Sequence, residues 1–203
     1  MKKRSVKIRF VSVFLPLLIV SMLAGCVVHS INPFCTGDLI TDMPALYGQW
    51  MLRESVFKEG TDKPWTFSKD SIIIPGIKGA SATLSARFFR VNDMVFLDTI
   101  AADPQEDVSL WWTLHVSPMH AVSKVVVGDN MFRVIPLDAS WMEESVKNKK
   151  VALPSVWHEE QKMHLFTASS AEWVEFLKKY GNDPDAFPEK DAFVFVKHSA
   201  GMQ

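Results

Sequence analysis

Four polar side chains stand in segments of the chain that are otherwise apolar. Asp98 lies in a run that begins at Met94, His115 and His120 flank a proline at position 118, and Arg87 precedes two phenylalanines. Carboxylate, imidazole and guanidinium groups that converge can orient a ligand head group, and a His–Asp pair can assist hydrolysis. We therefore take these four residues as candidate ligand-binding residues.

The predicted orientation of Asp98 follows from strand alternation. Asp98 shares its parity with Met94, Phe96 and Ile100. Successive side chains of a strand point to opposite faces, so these four residues share one face. If that apolar face lines the inside of a barrel, Asp98 is a carboxylate that points into the barrel.

A metal site is not predicted. His115 and His120 are five residues apart, so on a regular strand their side chains take opposite faces unless the turn at Pro118 reorients them. No cysteine or further nearby histidine completes a ligand set. The four polar residues also have a structural interpretation: the histidines are hydrogen-bonded in the core or in turns, and the carboxylate of Asp98 is paired.

Familiar catalytic motifs are absent from the sequence. It has no Gly-x-Ser-x-Gly, no His-Glu-x-x-His and no Gly-rich phosphate loop. The carboxylate pairs at 143–144 and 159–160 are predicted to lie on a solvated helix face and in a polar turn. The basic run 147–150 suits a helix C-terminus. With 22 basic and 23 acidic residues, the chain is not expected to bind nucleic acid.

The aromatic content allows two interpretations. Seven tryptophans and 14 phenylalanines occur in one modest domain. They either line a cavity for a lipid, a hydrophobic metabolite or a glycan, or they fill a core. Trp111 and Trp112 are adjacent, so one of them should point outward and need a cover. The helix predicted over 170–180, with Trp173 and Phe176, is the expected cover.

The N-terminus has the pattern of an export signal. A basic segment of nine residues precedes a largely apolar stretch over 10–23. As a helix this stretch is about 21 Å long, which is short of the roughly 30 Å hydrocarbon core and favours a signal peptide over a permanent span. Residues 1–25 hold five of the 22 basic residues and no acid, so the remainder carries a formal charge of about −6.

The end of this segment, Leu23-Ala24-Gly25-Cys26, resembles the lipobox of bacterial lipoproteins. The resemblance implies cleavage before Cys26, which then carries a diacylglyceryl group and an N-acyl chain as a stable membrane anchor. Val27 replaces the aspartate that resembles an inner-membrane retention signal. The expected location is the outer membrane, facing the periplasm, with the inner membrane or a Gram-positive cell membrane as the alternative. No other cofactor is expected.

The second cysteine, Cys35, would then lack an intramolecular partner. We interpret it as a thiol protected by the packing of Pro33 and Phe34. An intermolecular disulfide or a reactive thiol is the alternative interpretation.

The remaining chain is predicted to be one domain. Residues 26–43 are interpreted as a lipidated tether, because proline, glycine and polar residues interrupt any period, and 44–203 as a single β-barrel-like domain. Short alternating segments separated by turn residues predict strands, and Asn92-Asp93 favours a two-residue hairpin. The predicted strands cover 48–57, 65–67, 71–77, 80–91, 94–100, 110–116, 121–127, 131–135, 151–158, 163–167 and 192–197.

Two helices are predicted in the last third of the chain. Ser140 with Glu143 and Ser169 with Glu172 fit the capping-box pattern. They predict helices near 140–148 and 170–180. The second has the stronger apolar stripe, since Trp173 is followed by apolar residues at i+3, i+4 and i+7.

The predicted fold class is mainly β with peripheral helices: an antiparallel meander that closes into a calycin-like barrel, with two short C-terminal helices. Closure removes exposed sheet edges, and the strand over 192–197 could pair with the first strand to complete it. Gly48-Gln49-Trp50 resembles the Gly-x-Trp motif that opens the first strand of lipocalins and related calycin barrels. The resemblance implies that the indole of Trp50 plugs the closed end.

Three functions follow as hypotheses. The first is a non-enzymatic, membrane-anchored envelope lipoprotein that binds a small apolar or amphipathic ligand in its barrel, with Asp98, His115, His120, Arg87 and Trp50 as binding residues. The second is a lipoprotein with a filled barrel that presents a surface to an envelope protein. The third is an envelope hydrolase that uses Asp98 with His115 or His120.

Overall fold

The structure, a computed structural model of the 203-residue chain, describes residues 27–54, 63–76, 81–102 and 118–198. The strands are β1 His29–Ser30, β2 Gly48–Glu54, β3 Trp65–Phe67, β4 Ser71–Pro75, β5 Ser81–Val91, β6 Met94–Ala101, β7 His120–Val127, β8 Met131–Pro136, β9 Ser155–His158, β10 Met163–Phe166 and β11 Phe193–Lys197. The helices are α1 Ala139–Lys147 and α2 Ser170–Tyr180.

Eight of the described strands form a closed antiparallel barrel. Their order around the wall is β2, β3, β4, β5, β6, β7, β8 and β11. Two pairings close it: β6 with β7, and β11 with β2, where Lys197 lies opposite Trp50. The predicted fold class is confirmed, including the calycin-like closure and the two short helices. The last strand, β11, pairs with β2, which is the first of the predicted strands.

Local sequence explains the β5–β6 hairpin. Val91 pairs with Met94 across a connection of two residues, as predicted. Asn92 has a φ of 53°, a conformation that asparagine tolerates better than most residues. Along β5, Ala86 and Phe88 are buried inside the barrel, in the alternation that the sequence predicts.

Three short strands, β1, β10 and β9, extend from the barrel and are called here the flanking sheet. Ser30 lies opposite His120 of β7 in an antiparallel pair, and His29 lies opposite Leu165 of β10 in a parallel pair. The strand β9 pairs antiparallel with β10. The two-residue strand β1 therefore joins the flanking sheet to the barrel wall.

Residues 28–46 pack on the domain, which corrects the prediction of a tether over 26–43. Val28, Phe34 and Cys35 are buried, and Ile40 forms a β-bridge with Phe89 of β5. The segment has a linker-like composition, but its apolar residues find long-range partners that composition does not reveal. The packed domain therefore begins near residue 28 rather than at 44.

Two apolar cores lie on the two sides of the barrel wall. The barrel core fills the interior, and the outer core lies between the wall, the helices and residues 28–35. The largest members of the barrel core are Trp50, Phe67, Phe88, Phe132 and Phe195. The largest side chains of the outer core that are at most 2% exposed are Phe34, Phe89, Phe96, Phe166 and Trp173.

The two helix starts differ from each other. α2 has the predicted capping box: the Ser169 hydroxyl accepts from the Glu172 amide, and the Glu172 carboxylate accepts from the Ser169 amide at 2.8 Å. The predicted box at Ser140 is wrong, because Asp138 is the N-cap of α1 and accepts from the Trp141 amide at 2.6 Å. Within the described ranges, neither helix has the length and hydropathy needed to cross a bilayer.

Some predictions concern residues outside the described ranges: Cys26, the strand over 110–116 with Trp111 and Trp112, and His115. The described strand β7 pairs with β6 along one edge and with β8 and β1 along the other.

Candidate functional site

The structure places Asp98 on the outside of the barrel, which corrects the predicted inward orientation. Val95 and Leu97 belong to the barrel core, whereas Met94 and Phe96 belong to the outer core. Asp98 has the parity of the second pair. The prediction assigned the shared face correctly but chose the wrong side of the wall, because β6 is buried on both faces from Met94 to Asp98.

Asp98 and His120 form a buried hydrogen-bonded pair. His120 Nδ1 lies 2.9 Å from Oδ1 and 3.0 Å from Oδ2 of Asp98. The side chains are 2% exposed for Asp98 and 12% for His120. A carboxylate at Nδ1 orients the ring and makes Nδ1 the protonated nitrogen. Nε2 is then the nitrogen that can accept a proton or bind another group.

Strand register explains why the two side chains meet. Asp98 lies opposite Val122 on β7, and His120 lies opposite Ile100 on β6. The pair is therefore diagonal on one face of two neighbouring strands, a separation that a histidine can span. His120 is also the first residue of β7, at the place where β1 joins the wall.

A cavity of about 230 Å³ opens beside this pair and is called here the outer-wall cavity. Its lining includes Asp98, His120 and Arg87, so the structure brings together three of the five predicted binding residues. The other lining residues are Asp70, Ser85, Ala86 and Ile100.

Arg87 supplies the positive charge of the outer-wall cavity. It lies directly opposite Asp98 on β5 and is exposed. It forms no ion pair within 4.0 Å with any described carboxylate. Its guanidinium is thus available, as far as the described residues go, to a group that enters the cavity.

Sequence reasoning missed Asp70 and Ser85. Ser85 has the same parity on β5 as Arg87, so alternation alone could have placed it on this face. Asp70 lies in the turn before β4, and its carbonyl accepts a hydrogen bond from the Ala86 amide at 2.9 Å. No local pattern predicts that this turn reaches β5.

Cys35 belongs to the outer core and is 5% exposed. Burial raises the pKa of its thiol from 9.0 to about 11; the negative charge of Asp98 adds to the rise, and Arg87 opposes it. A neutral, buried thiol is a poor nucleophile. We therefore do not assign Cys35 to the chemistry of the cavity.

Trp50 lies on the other side of the wall from Asp98 and His120, so it is not part of the same site. Its indole Nε1 donates to the Leu46 carbonyl at 2.9 Å, and its ring packs edge-on against Phe132 at 4.7 Å. Gly48, two residues earlier, has a φ of +112°, which favours glycine. The indole thus occupies the barrel core rather than a ligand site.

Aromatic rings pack against one another in the barrel interior. Phe132 and Phe195 stack with ring centroids 4.9 Å apart, and Phe67 packs edge-on against both, at 5.1 and 5.2 Å. Each of these three side chains is at most 2% exposed. A ligand inside the barrel would have to displace them.

No group of three or more acidic, histidine or cysteine residues suited to a metal ion occurs in the described part of the chain. No protein-family profile, curated protein or solved structure matches the chain. The candidate site is therefore described by the residues that line the outer-wall cavity. The polar ones are the His120–Asp98 pair, Arg87 with its exposed guanidinium, Asp70 and Ser85.

Proposed function

We propose that this protein is a lipid-anchored lipoprotein of the bacterial cell envelope, held at the membrane by acyl chains on Cys26. The support is the basic N-terminal segment, the apolar stretch over 10–23 and the lipobox resemblance that ends at Cys26. Val27 after the cysteine favours the outer membrane, with the domain facing the periplasm.

In this proposal the barrel supports the binding surface and does not hold a ligand in its interior. The observation that carries this step is the aromatic filling around Phe132 and Phe195. It favours the second hypothesis, a protein that acts through its outer surface, over a small molecule held inside the barrel. Binding then takes place on the outer wall, where the polar groups lie.

We propose that the outer-wall cavity binds a carboxylate or phosphate group of a small amphipathic ligand, without catalysis. Its volume of about 230 Å³ is below the roughly 300 Å³ at which pockets for whole drug-sized ligands begin, so it suits a head group. Arg87 supplies several N–H donors for such an anion. Asp98 fixes the ring of His120, and in the imidazolium form Nε2–H can donate a hydrogen bond to the same group.

The anchor is tested by the intact mass of the protein extracted from membranes of a bacterial host. The expected mature chain begins at Cys26 and carries the mass of a diacylglyceryl group and an N-acyl chain. A Cys26→Ser variant is expected to keep residues 1–25 and to carry no acyl chains. A wild-type chain that begins elsewhere, or that lacks acyl chains, would contradict the proposal.

The cavity is tested by native mass spectrometry of the lipidated protein, released in detergent from its own host. A small co-purified ligand is expected with the wild type and with Arg90→Gln. The ligand should be lost with Arg87→Gln. Both arginines are exposed on β5, but their parity differs, so Arg90 is a matched control. Retention of the ligand in Arg87→Gln, or its absence from the wild type, would overturn this part of the proposal.

Hydrolysis is a second candidate, favoured by the contact of His120 Nδ1 with both oxygens of Asp98. In this mechanism His120 Nε2 takes a proton from water while the water oxygen attacks the carbonyl carbon of an ester held by Arg87. The imidazolium then returns the proton to the departing alkoxide. Such general-base catalysis contributes about 10² to 10⁴ in rate.

The assay is the release of p-nitrophenol from p-nitrophenyl butyrate by the extracted protein. His120→Gln should lower the rate about 100-fold or more if His120 is the base, and Arg90→Gln should leave it unchanged. Circular dichroism checks that both variants fold. A rate that is the same in wild type and His120→Gln would exclude the dyad as the base and leave the binding proposal in place.

A further inference from the structure

Exposed apolar side chains are concentrated on the flanking sheet. Eight large apolar residues among the described ranges are exposed, and four of these lie in or beside β1 and β9: Val27, Ile31, Val156 and Trp157, at 38%, 48%, 60% and 38% exposure. Of the other four, Val127 and Met131 flank the turn between β7 and β8, and Ile40 and Ile73 lie elsewhere on the barrel. A cluster of this kind marks an interaction surface.

Strand register makes this surface continuous. His29, Leu165 and Val156 lie in one row across β1, β10 and β9. Val27 and Ile31 are the positions two residues before and after His29. Opposite pairs in a sheet share one face, so this row, in which Leu165 and Val156 are apolar, crosses the whole flanking sheet. Beyond β9 no described strand pairs with its outer edge.

The three strands of the flanking sheet also lack charge. β1, β9 and β10 contain no aspartate, glutamate, lysine or arginine, although the domain as a whole is acidic. Charged residues reappear in the turn over 159–162 at the end of the sheet. Trp157, on the same edge strand as Val156, has the other parity, and its ring packs on His164 at 5.1 Å on the other face of the sheet.

The N-terminal connection indicates what covers this surface. Val27 follows Cys26 directly, so their Cα atoms are about 3.8 Å apart. Val28 is buried in the outer core, which leaves one exposed residue between the packed domain and the cysteine. If Cys26 carries acyl chains in a bilayer, the flanking sheet must lie close to the head groups.

We propose that the flanking sheet is the face on which the domain lies against the bilayer, with Val27, Ile31 and Val156 in contact with lipid. The inference depends on the proposed acylation of Cys26. The face measures roughly 15 Å by 15 Å from strand spacing and rise. That is well below the roughly 800 Å² per partner of a stable protein interface, so a second copy fits less well than a lipid surface.

The test compares spin labels at two exposed apolar positions of the lipidated, full-length protein in phosphatidylcholine vesicles. Val156→Cys places one label on the flanking sheet. Ile73→Cys, on the opposite part of the barrel wall and 42% exposed, is the matched control. Labelling at neutral pH is selective because Cys35 is buried and Cys26 is acylated. Collision with a water-soluble nickel chelate and with membrane-dissolved oxygen is measured by electron paramagnetic resonance.

The label at 156 is expected to collide severalfold less with the nickel chelate, and more with oxygen, than the label at 73. Equal accessibility at the two positions, in protein whose mass confirms acylation, would overturn the inference and leave the anchor in place. Protection at 156 with dipolar broadening that grows with protein density would assign the face to a second copy and also overturn it. A mass without acyl chains would instead overturn the proposed anchor.

Discussion

The two cores differ in what they bury. In the barrel core the buried side chains are apolar, and aromatic rings contact one another directly. The buried polar residues of the described chain, Ser30, Asp98 and Ser145, all lie outside the barrel interior. The backbone N–H and C=O groups of the wall pair with one another around the closed ring of strands. The barrel core therefore needs no buried polar side chain to pair with them.

Trp173 shows how the outer core combines the two kinds of contact. Its ring packs on Phe34 at 4.4 Å and on Phe166 at 5.3 Å. Its indole Nε1 donates to the Ser30 hydroxyl at 2.9 Å, and that hydroxyl donates to the Asn32 carbonyl at 2.7 Å. The outer core therefore combines a large apolar area with a satisfied hydrogen-bond network. The Asp98–His120 pair lies on the same side of the barrel wall.

The largest expected effect tests whether the barrel core is the more rigid of the two. Phe132→Ala should lower the free energy of unfolding by about 3–5 kcal/mol, because the closed wall cannot collapse onto the space left among three aromatic rings. Phe34→Ala should cost less, since Phe34 lies in a loop that can move inward. Both side chains are fully buried in the wild type.

Urea unfolding of the purified protein, followed by circular dichroism, measures both costs. Ile73→Ala, at an exposed position, should change the stability by no more than about 0.5 kcal/mol. A cost for Phe34→Ala equal to or above that for Phe132→Ala would show that the outer core relaxes no better than the barrel.

A pH effect tests how well the outer core excludes water. Burial raises the pKa of Cys35 to about 11, so the folded state keeps the thiol neutral where the unfolded state, with a pKa near 9.0, ionises. Below pH 9 the thiol is neutral in both states. Between pH 9 and 11 wild-type stability should fall by about 2 kcal/mol more than that of Cys35→Ala. Parallel curves for the two proteins would mean that water reaches the thiol.

The smallest effect concerns the helix that covers the outer core. Ser169→Ala removes the N-cap of α2 and should cost about 1 kcal/mol. Ser140→Ala should cost no more than about 0.5 kcal/mol, because Asp138 is the N-cap of α1. Thermal unfolding monitored by circular dichroism compares the two variants. Equal losses would contradict the assignment of the two caps.

Much of the fold was predictable because its signals are local. The alternation of β5, the Asn92 turn and the Ser169 cap each depend on neighbouring residues, and the structure has all three. The side of the wall that Asp98 faces was not predictable, because β6 is buried on both faces and alternation is lost. The packing of Phe34 also escaped prediction, since it depends on Trp173, far away in sequence.

The candidate site was predictable in part for the same reason. Asp98, His120 and Arg87 stand out as polar residues within apolar strands, and the outer-wall cavity joins them. Their contact depends on strand register, which no local pattern specifies. Asp70 enters from a turn whose position is set by the β4–β5 pairing, so only the assembled sheet could reveal it.

The position of β11 has a consequence for when the chain can fold. β11 fits between β2 and β8, and Lys197 pairs with Trp50, 147 positions earlier. Contacts of such separation form late and slowly. The ring of strands cannot be completed until almost the whole polypeptide is present. A chain of this design stays open while its end is still missing, a property that the proposed export across a membrane would require.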